Sequence, residues 1–145
     1  MNIINLIESS RQYLYHGTSL NAIISILHDD VLKPTTKHVI NGKPVYGIST
    51  TRNKRFAETW GEVVIVLDTE RIGHHNKMVP VDFKHNNPHY NINYRDNSED
   101  FIVGEIDNVK YKIKQIILTK KVRPEVAFEI ESKMERLGIP VSKLD

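Results

Sequence analysis

The sequence predicts an α+β domain. Three observations predict it. Several apolar or alternating runs are too short to be anything but strands. Two segments repeat apolar residues at helical spacing. The chain has 145 residues, the size of one domain. About six short strands and three or four helices are expected, in a single unit spanning 1–145.

The elements follow in order. Residues 3–10 read as a short helical lead-in. Tyr13-Leu14-Tyr15 is an aromatic and apolar run suited to a buried strand, and His16-Gly17-Thr18-Ser19 ends it. Ser19 is a good N-cap, and Leu20, Ile23, Ile24 and Leu27 fall on one face, so 20–28 reads as an amphipathic helix. Asp29-Asp30 closes it. Residues 31–44 read as an irregular connection, with Lys33-Pro34 and Asn41-Gly42-Lys43-Pro44 as turn signals. Residues 45–51 return to strand composition. Asn53 can cap a helix over 54–60 carrying Phe56, Ala57 and Trp60, and Gly61 stops it.

The run EVVIVLD at 62–68 is almost continuously apolar, as in a strand covered on both faces. Residues 78–83 form another strand. Residues 84–98 are polar, asparagine-rich and non-periodic, and a connection of that length is functional or disordered. Residues 101–106 and 113–119 supply further strands. Pro124 opens a helix over 125–137, ended by Gly138. That helix packs on the domain or offers a dimer face.

Composition excludes several classes. There are no cysteines, so disulfides, thiol chemistry and thiolate zinc sites are out. No apolar run approaches bilayer length, and residues 1–12 lack the pattern of a secretory signal, so a cytoplasmic protein is expected. The net charge of +2 is only mildly basic. His74 and His75 are adjacent and would face opposite ways on a strand, and His85 and His89 have no evident carboxylate partner; no metal is expected. No Gly-rich phosphate loop is present, which argues against dinucleotide binding in the Rossmann manner.

Three segments carry candidate chemistry. In YHGTSLNAIISIL, 15–27, an imidazole and a glycine end a strand just before a helix, where they can meet a ligand. In VYGISTTRNKRFAETW, 45–60, Ser49 and Thr50 can hold a loop or a ribose, and Tyr46, Phe56 and Trp60 offer flat faces. In NSEDFIVG, 97–104, Glu99 and Asp100 enter an apolar strand.

The order of these segments resembles the ADP-ribosyltransferase superfamily. His16-Gly17-Thr18-Ser19 followed by an apolar helix is similar to the first motif of its polymerase-like branch. Ile48-Ser49-Thr50-Thr51 with Arg52 and Phe56-Ala57 is similar to the serine-threonine motif of its toxin-like branch. Glu99-Asp100 leading to Gly104 looks like the third motif. The resemblance covers about 15–106, within a motif-bearing part of about 13–119. It implies two small, mainly antiparallel sheets forming an NAD cleft. It also implies mono-ADP-ribosyltransferase activity that moves ADP-ribose from NAD to a macromolecular acceptor, protein or nucleic acid, and releases nicotinamide. By this resemblance Glu99 is the catalytic residue, and His16, Gly17, Thr18, Tyr46, Ser49, Thr50 and Phe56 bind NAD, the co-substrate, without a metal. The small size suggests a phage or bacterial source, hence a host cytoplasm. Arginine is not implied as the target: His16 stands where the arginine-modifying branch has arginine, and Asn97 stands two residues before Glu99. Two alternatives stay open: an RNA 2′-phosphotransferase using NAD, with Lys54, Arg55 and His38 as possible cleft residues, and a non-catalytic module binding NAD, ADP-ribose or a protein.

Overall fold

The computed structural model describes residues 13–82 and 98–144. The helical lead-in expected at 3–10 and the polar segment 84–97 lie outside them. In chain order the elements are β1 (Tyr13–Thr18), α1 (Leu20–Asp29), β2 (Val31–Leu32), β3 (Thr36–Ile40), β4 (Lys43–Thr51), α2 (Lys54–Glu58), β5 (Val63–Asp68) and α3 (Thr69–Ile72). They continue with β6 (Met78–Asp82), β7 (Ser98–Val103), β8 (Ile106–Asp107), α4 (Val109–Lys112), β9 (Ile113–Leu118), α5 (Pro124–Leu137) and β10 (Val141–Lys143). The fold is α+β: a curled mixed sheet with short helices.

The main sheet has eight strands in the order β10-β9-β5-β1-β4-β7-β6, with β3 added on β4. Pairing is antiparallel except between β9 and β10. Where two small sheets were expected, one large sheet forms, with β2 and β8 as a separate pair. Its two halves join at a single register pair, Tyr15 with Thr51.

The apolar half behaves as its sequence requires. In β5, residues Val63 to Leu67 are all buried, because neighbours cover both faces. Leu14, Ile65, Leu67, Ile116 and Leu118 join Ile23, Ile26 and Leu27 of α1 and Ala127, Ile130 and Met134 of α5 in the main core. Val64, Val66 and Ile117 point to the other face, where they meet Ala57 and Tyr15. The helix starts are satisfied as expected. Ser19 Oγ accepts from the Ala22 amide and Asn53 Oδ1 from the Phe56 amide.

Three expectations are corrected. The stretch 31–44 is not irregular: it holds β2 and a β3–β4 hairpin. Asn41 and Gly42 both have positive φ, 52° and 79°, the signature of a type I′ turn, which matches strand twist. The strand expected at 101–106 breaks at Gly104, where φ is 80°, and resumes as β8. Helix α2 ends at Glu58, because the Thr59 amide turns back to the Phe56 carbonyl. Helices α3 and α4 and strand β10 carry too few residues to show a period in the sequence.

Candidate functional site

Strand β4 is where the topology concentrates polar chemistry. Strand β7 pairs with it from Gly47 to Thr51 along one edge. The other edge is shared. β1 meets it only at Thr51, and β3 takes it from Lys43 to Gly47. Between these partners Ile48, Ser49 and Thr50 span a gap of roughly 10 Å. Into this gap comes His16. Its Nδ1–H donates to the Ser49 carbonyl at 2.7 Å, replacing a ladder bond that the diverging strands cannot make.

That bond fixes the tautomer. A carbonyl only accepts, so Nδ1 carries the hydrogen and Nε2 of the neutral ring is an acceptor. His16 is buried, and its pKa lies below the ordinary histidine value. Desolvation lowers it, and the Ser49 bond opposes that only in part. The ring is therefore held neutral at physiological pH. It also lines a hollow of about 340 Å³ together with Thr18, Ser25, Asp29, Lys33 and Thr35. Helix α1 forms one wall and the segment after β2 the other.

Gly17 is required by close approach. A Cβ there would lie 2.8 Å from the Ala57 carbonyl oxygen and 2.9 Å from Trp60 Cβ. Helix α2 thus sits directly on β1, and Phe56 packs edge-on against Trp60 at 4.8 Å.

Register divides the remaining side chains between two faces. Tyr15, Thr51 and Glu99 share one face, and His16, Thr50 and Asp100 share the other. The core clusters agree with this parity: Leu14, Ile48 and Ile102 lie together, and Tyr15 belongs to the second cluster. Glu99, singled out in the sequence, is 2% exposed and accepts from His38 Nε2–H at 2.7 Å. The His38 ring also packs edge-on against Phe101 at 4.6 Å. Register sets Glu99 opposite Thr51 and His38 opposite Val45. On a flat strand six residues cover about 20 Å. The contact therefore requires β4 to bend sharply with this face concave. Gly47 lies at the bend, where a Cβ would stand 2.2 Å from the Ile102 carbonyl oxygen.

Asp100 takes the opposite face. Arg52 Nε donates to its Oδ2 at 2.8 Å and Nη2 to its Oδ1 at 3.4 Å, a two-point clamp. The Thr50 hydroxyl donates to the Asp100 carbonyl. Thr50 is thus spent on locking β4 to β7, and the Thr51 hydroxyl accepts from the Asn53 amide.

Of the residues named from the sequence, His16, Thr18 and Thr50 share one face at the gap, while Gly17 and Ser49 have the parity of the other face, where α2 with Phe56 packs over Gly17. Glu99 has that second parity as well. Tyr46 stands in the part of β4 paired with β3, 59% exposed and about 10 Å along the strand from Ser49. Sequence reasoning missed the Arg52 clamp and the His38 pairing. The alternation in 36–40 followed by Asn41-Gly42 was the signal for a hairpin that would carry His38 inward. Among the described residues no group of three or more histidines and carboxylates could hold a metal ion. Among those residues no helix is long and apolar enough to cross a membrane. No protein-family model matches the chain, and no curated protein matches it in sequence.

Proposed function

We propose that the protein is a mono-ADP-ribosyltransferase that uses NAD as co-substrate and a macromolecule as acceptor. The observation that carries this reading is His16: a neutral imidazole, fixed in one tautomer by the Ser49 carbonyl, in a gap where two strands part beside a hollow. The fit is chemical. His16 Nε2 accepts a hydrogen bond from a ribose hydroxyl. The Gly17 backbone, next along β1, serves a carboxamide. Lys33 supplies positive charge at the rim of the hollow for a pyrophosphate.

When bound, NAD supplies a ribose C1′–nitrogen bond whose cleavage sends the bonding pair to nicotinamide. The acceptor forms the new bond to C1′ and gives up one proton. The chain's own work is to hold a carboxylate where positive charge develops on the sugar. By strand alternation Asp100 shares the His16 face, so the reading assigns this role to Asp100, oriented by Arg52. Glu99, with His38, supports the same strand from behind.

The test is nicotinamide release from NAD, with and without cell lysate, by the native protein and the Asp100→Asn and Glu99→Gln variants. Release should fall roughly 100- to 1000-fold in Asp100→Asn and by much less in Glu99→Gln. The reverse ranking would return the role to Glu99. NAD binding without release under any condition would leave a binding module on this fold.

A further inference from the structure

The charges of this chain are segregated. Between Asp30 and Glu58 there are six basic side chains, Lys33, Lys37, Lys43, Arg52, Lys54 and Arg55, and no carboxylate. The rest of the chain holds fourteen basic and eighteen acidic side chains. The net charge of +2 therefore conceals a cationic segment on an acidic body. This segment builds β2, the β3–β4 hairpin and the start of α2, and so surrounds the gap at His16. Arg52 is engaged by Asp100. Lys33, Lys37 and Lys43 are exposed and pair with no carboxylate among the described residues.

The hairpin adds apolar surface to that charge. The bend of β4 turns one face of the hairpin inward over Glu99 and Phe101, which leaves the other face convex. On that convex face Lys37 lies opposite Tyr46, and Val39 lies opposite Pro44. Tyr46 is 59% and Val39 68% exposed. Tyr46 and Val39 thus add apolar surface to the same face as Lys37. The Thr35 amide donates to the Gly47 carbonyl, so the wall of the His16 hollow runs directly into this face.

We propose that the β3–β4 hairpin is the docking surface for the acceptor, and that the acceptor is a single-stranded nucleic acid. An exposed aromatic ring flanked by lysines is the arrangement that stacks a base while neutralising its phosphates. The absence of any carboxylate over Val31 to Ala57 removes the repulsion a polyanion would otherwise meet. An acidic protein segment would use the lysines equally, but it would gain little from Tyr46. This inference deepens the transferase reading by naming the acceptor class, and its test does not depend on NAD.

The experiment is fluorescence anisotropy of labelled oligouridylate and oligothymidylate, 12 nucleotides each, with the native full chain over a series of salt concentrations. Binding of either strand, weakening as salt rises, is expected. Tyr46→Ala and Lys37→Gln should each weaken it by roughly fivefold or more. Lys120→Gln, on the connection before α5, should leave it unchanged. Thermal melts keep misfolding apart from lost contact. No binding at low salt, binding indifferent to the hairpin substitutions, or equal competition by polyglutamate would each overturn the proposal. Intact nicotinamide release alongside such a failure would remove only the acceptor class. Intact oligonucleotide binding without release would remove the transferase and keep the docking surface.

Discussion

The two halves of the main sheet obey different rules. In β5 and the Ile116–Leu118 end of β9 side chains on both faces are apolar, and stability comes from area removed from water. In β4 and β7, one register pair away, the same buried positions hold Thr50, Thr51, Glu99 and Asp100, with His16 at the junction. Each of these groups costs free energy to bury unless bonded, and each is bonded: to a backbone carbonyl, a backbone amide, His38 or Arg52. The difference teaches where to look for function. A fold could be held by the first half's chemistry throughout. Polar groups buried and bonded beside an open strand edge are the residues whose chemistry the fold has kept despite that cost.

The largest effect should come from removing one partner of a buried pair. His38→Ala leaves the Glu99 carboxylate buried without its donor, and about 3–5 kcal/mol of stability should be lost. The double variant His38→Leu with Glu99→Leu removes both and should lie close to the native protein. Urea unfolding of the three proteins measures this. A His38→Ala loss under about 1 kcal/mol would mean that water already reaches Glu99, and the contrast between the halves would fail.

The apolar half should respond mildly and locally. Ile116→Val deletes one methylene from β9, where Ile116 is fully buried, and should cost about 0.5–1.5 kcal/mol. Nicotinamide release measured well below the melting temperature should not change. An equal loss of release and stability would show that the halves are mechanically coupled across the Tyr15–Thr51 seam.

Much of the apolar half was legible in the sequence. EVVIVLD announces a central strand, and Ser19 and Asn53 announce the helices they cap. The polar half was harder to read, because its logic is pairing across distance. Glu99 and Asp100 look equivalent as neighbours in sequence. Only the register of β7 on β4 sends one to His38 and the other to Arg52. Likewise, nothing local tells that His16 bonds a carbonyl 33 residues away. The hairpin at 36–51 is a different case. Asn41-Gly42 between alternating residues is its signal, while Lys33-Pro34 and Pro44 read as turn signals of an irregular connection.

The smallest effect expected is a pH dependence that starts at the seam. Burial lowers the His16 pKa in the folded protein, so the native state keeps the ring uncharged where the unfolded chain, near 6.5, already binds a proton. Below about 6.5 the unfolded state therefore holds more protons, and stability falls with pH until the folded pKa is reached. Above 6.5 this group contributes no slope. His16→Asn retains an N–H that can reach the Ser49 carbonyl but does not titrate. Urea midpoints at pH 7.5 and 5.0 should drop more in the native protein than in His16→Asn. Equal drops would mean that the imidazole is not desolvated by the fold. The neutral, single-tautomer acceptor on which the proposed ribose contact rests would then lose its physical basis.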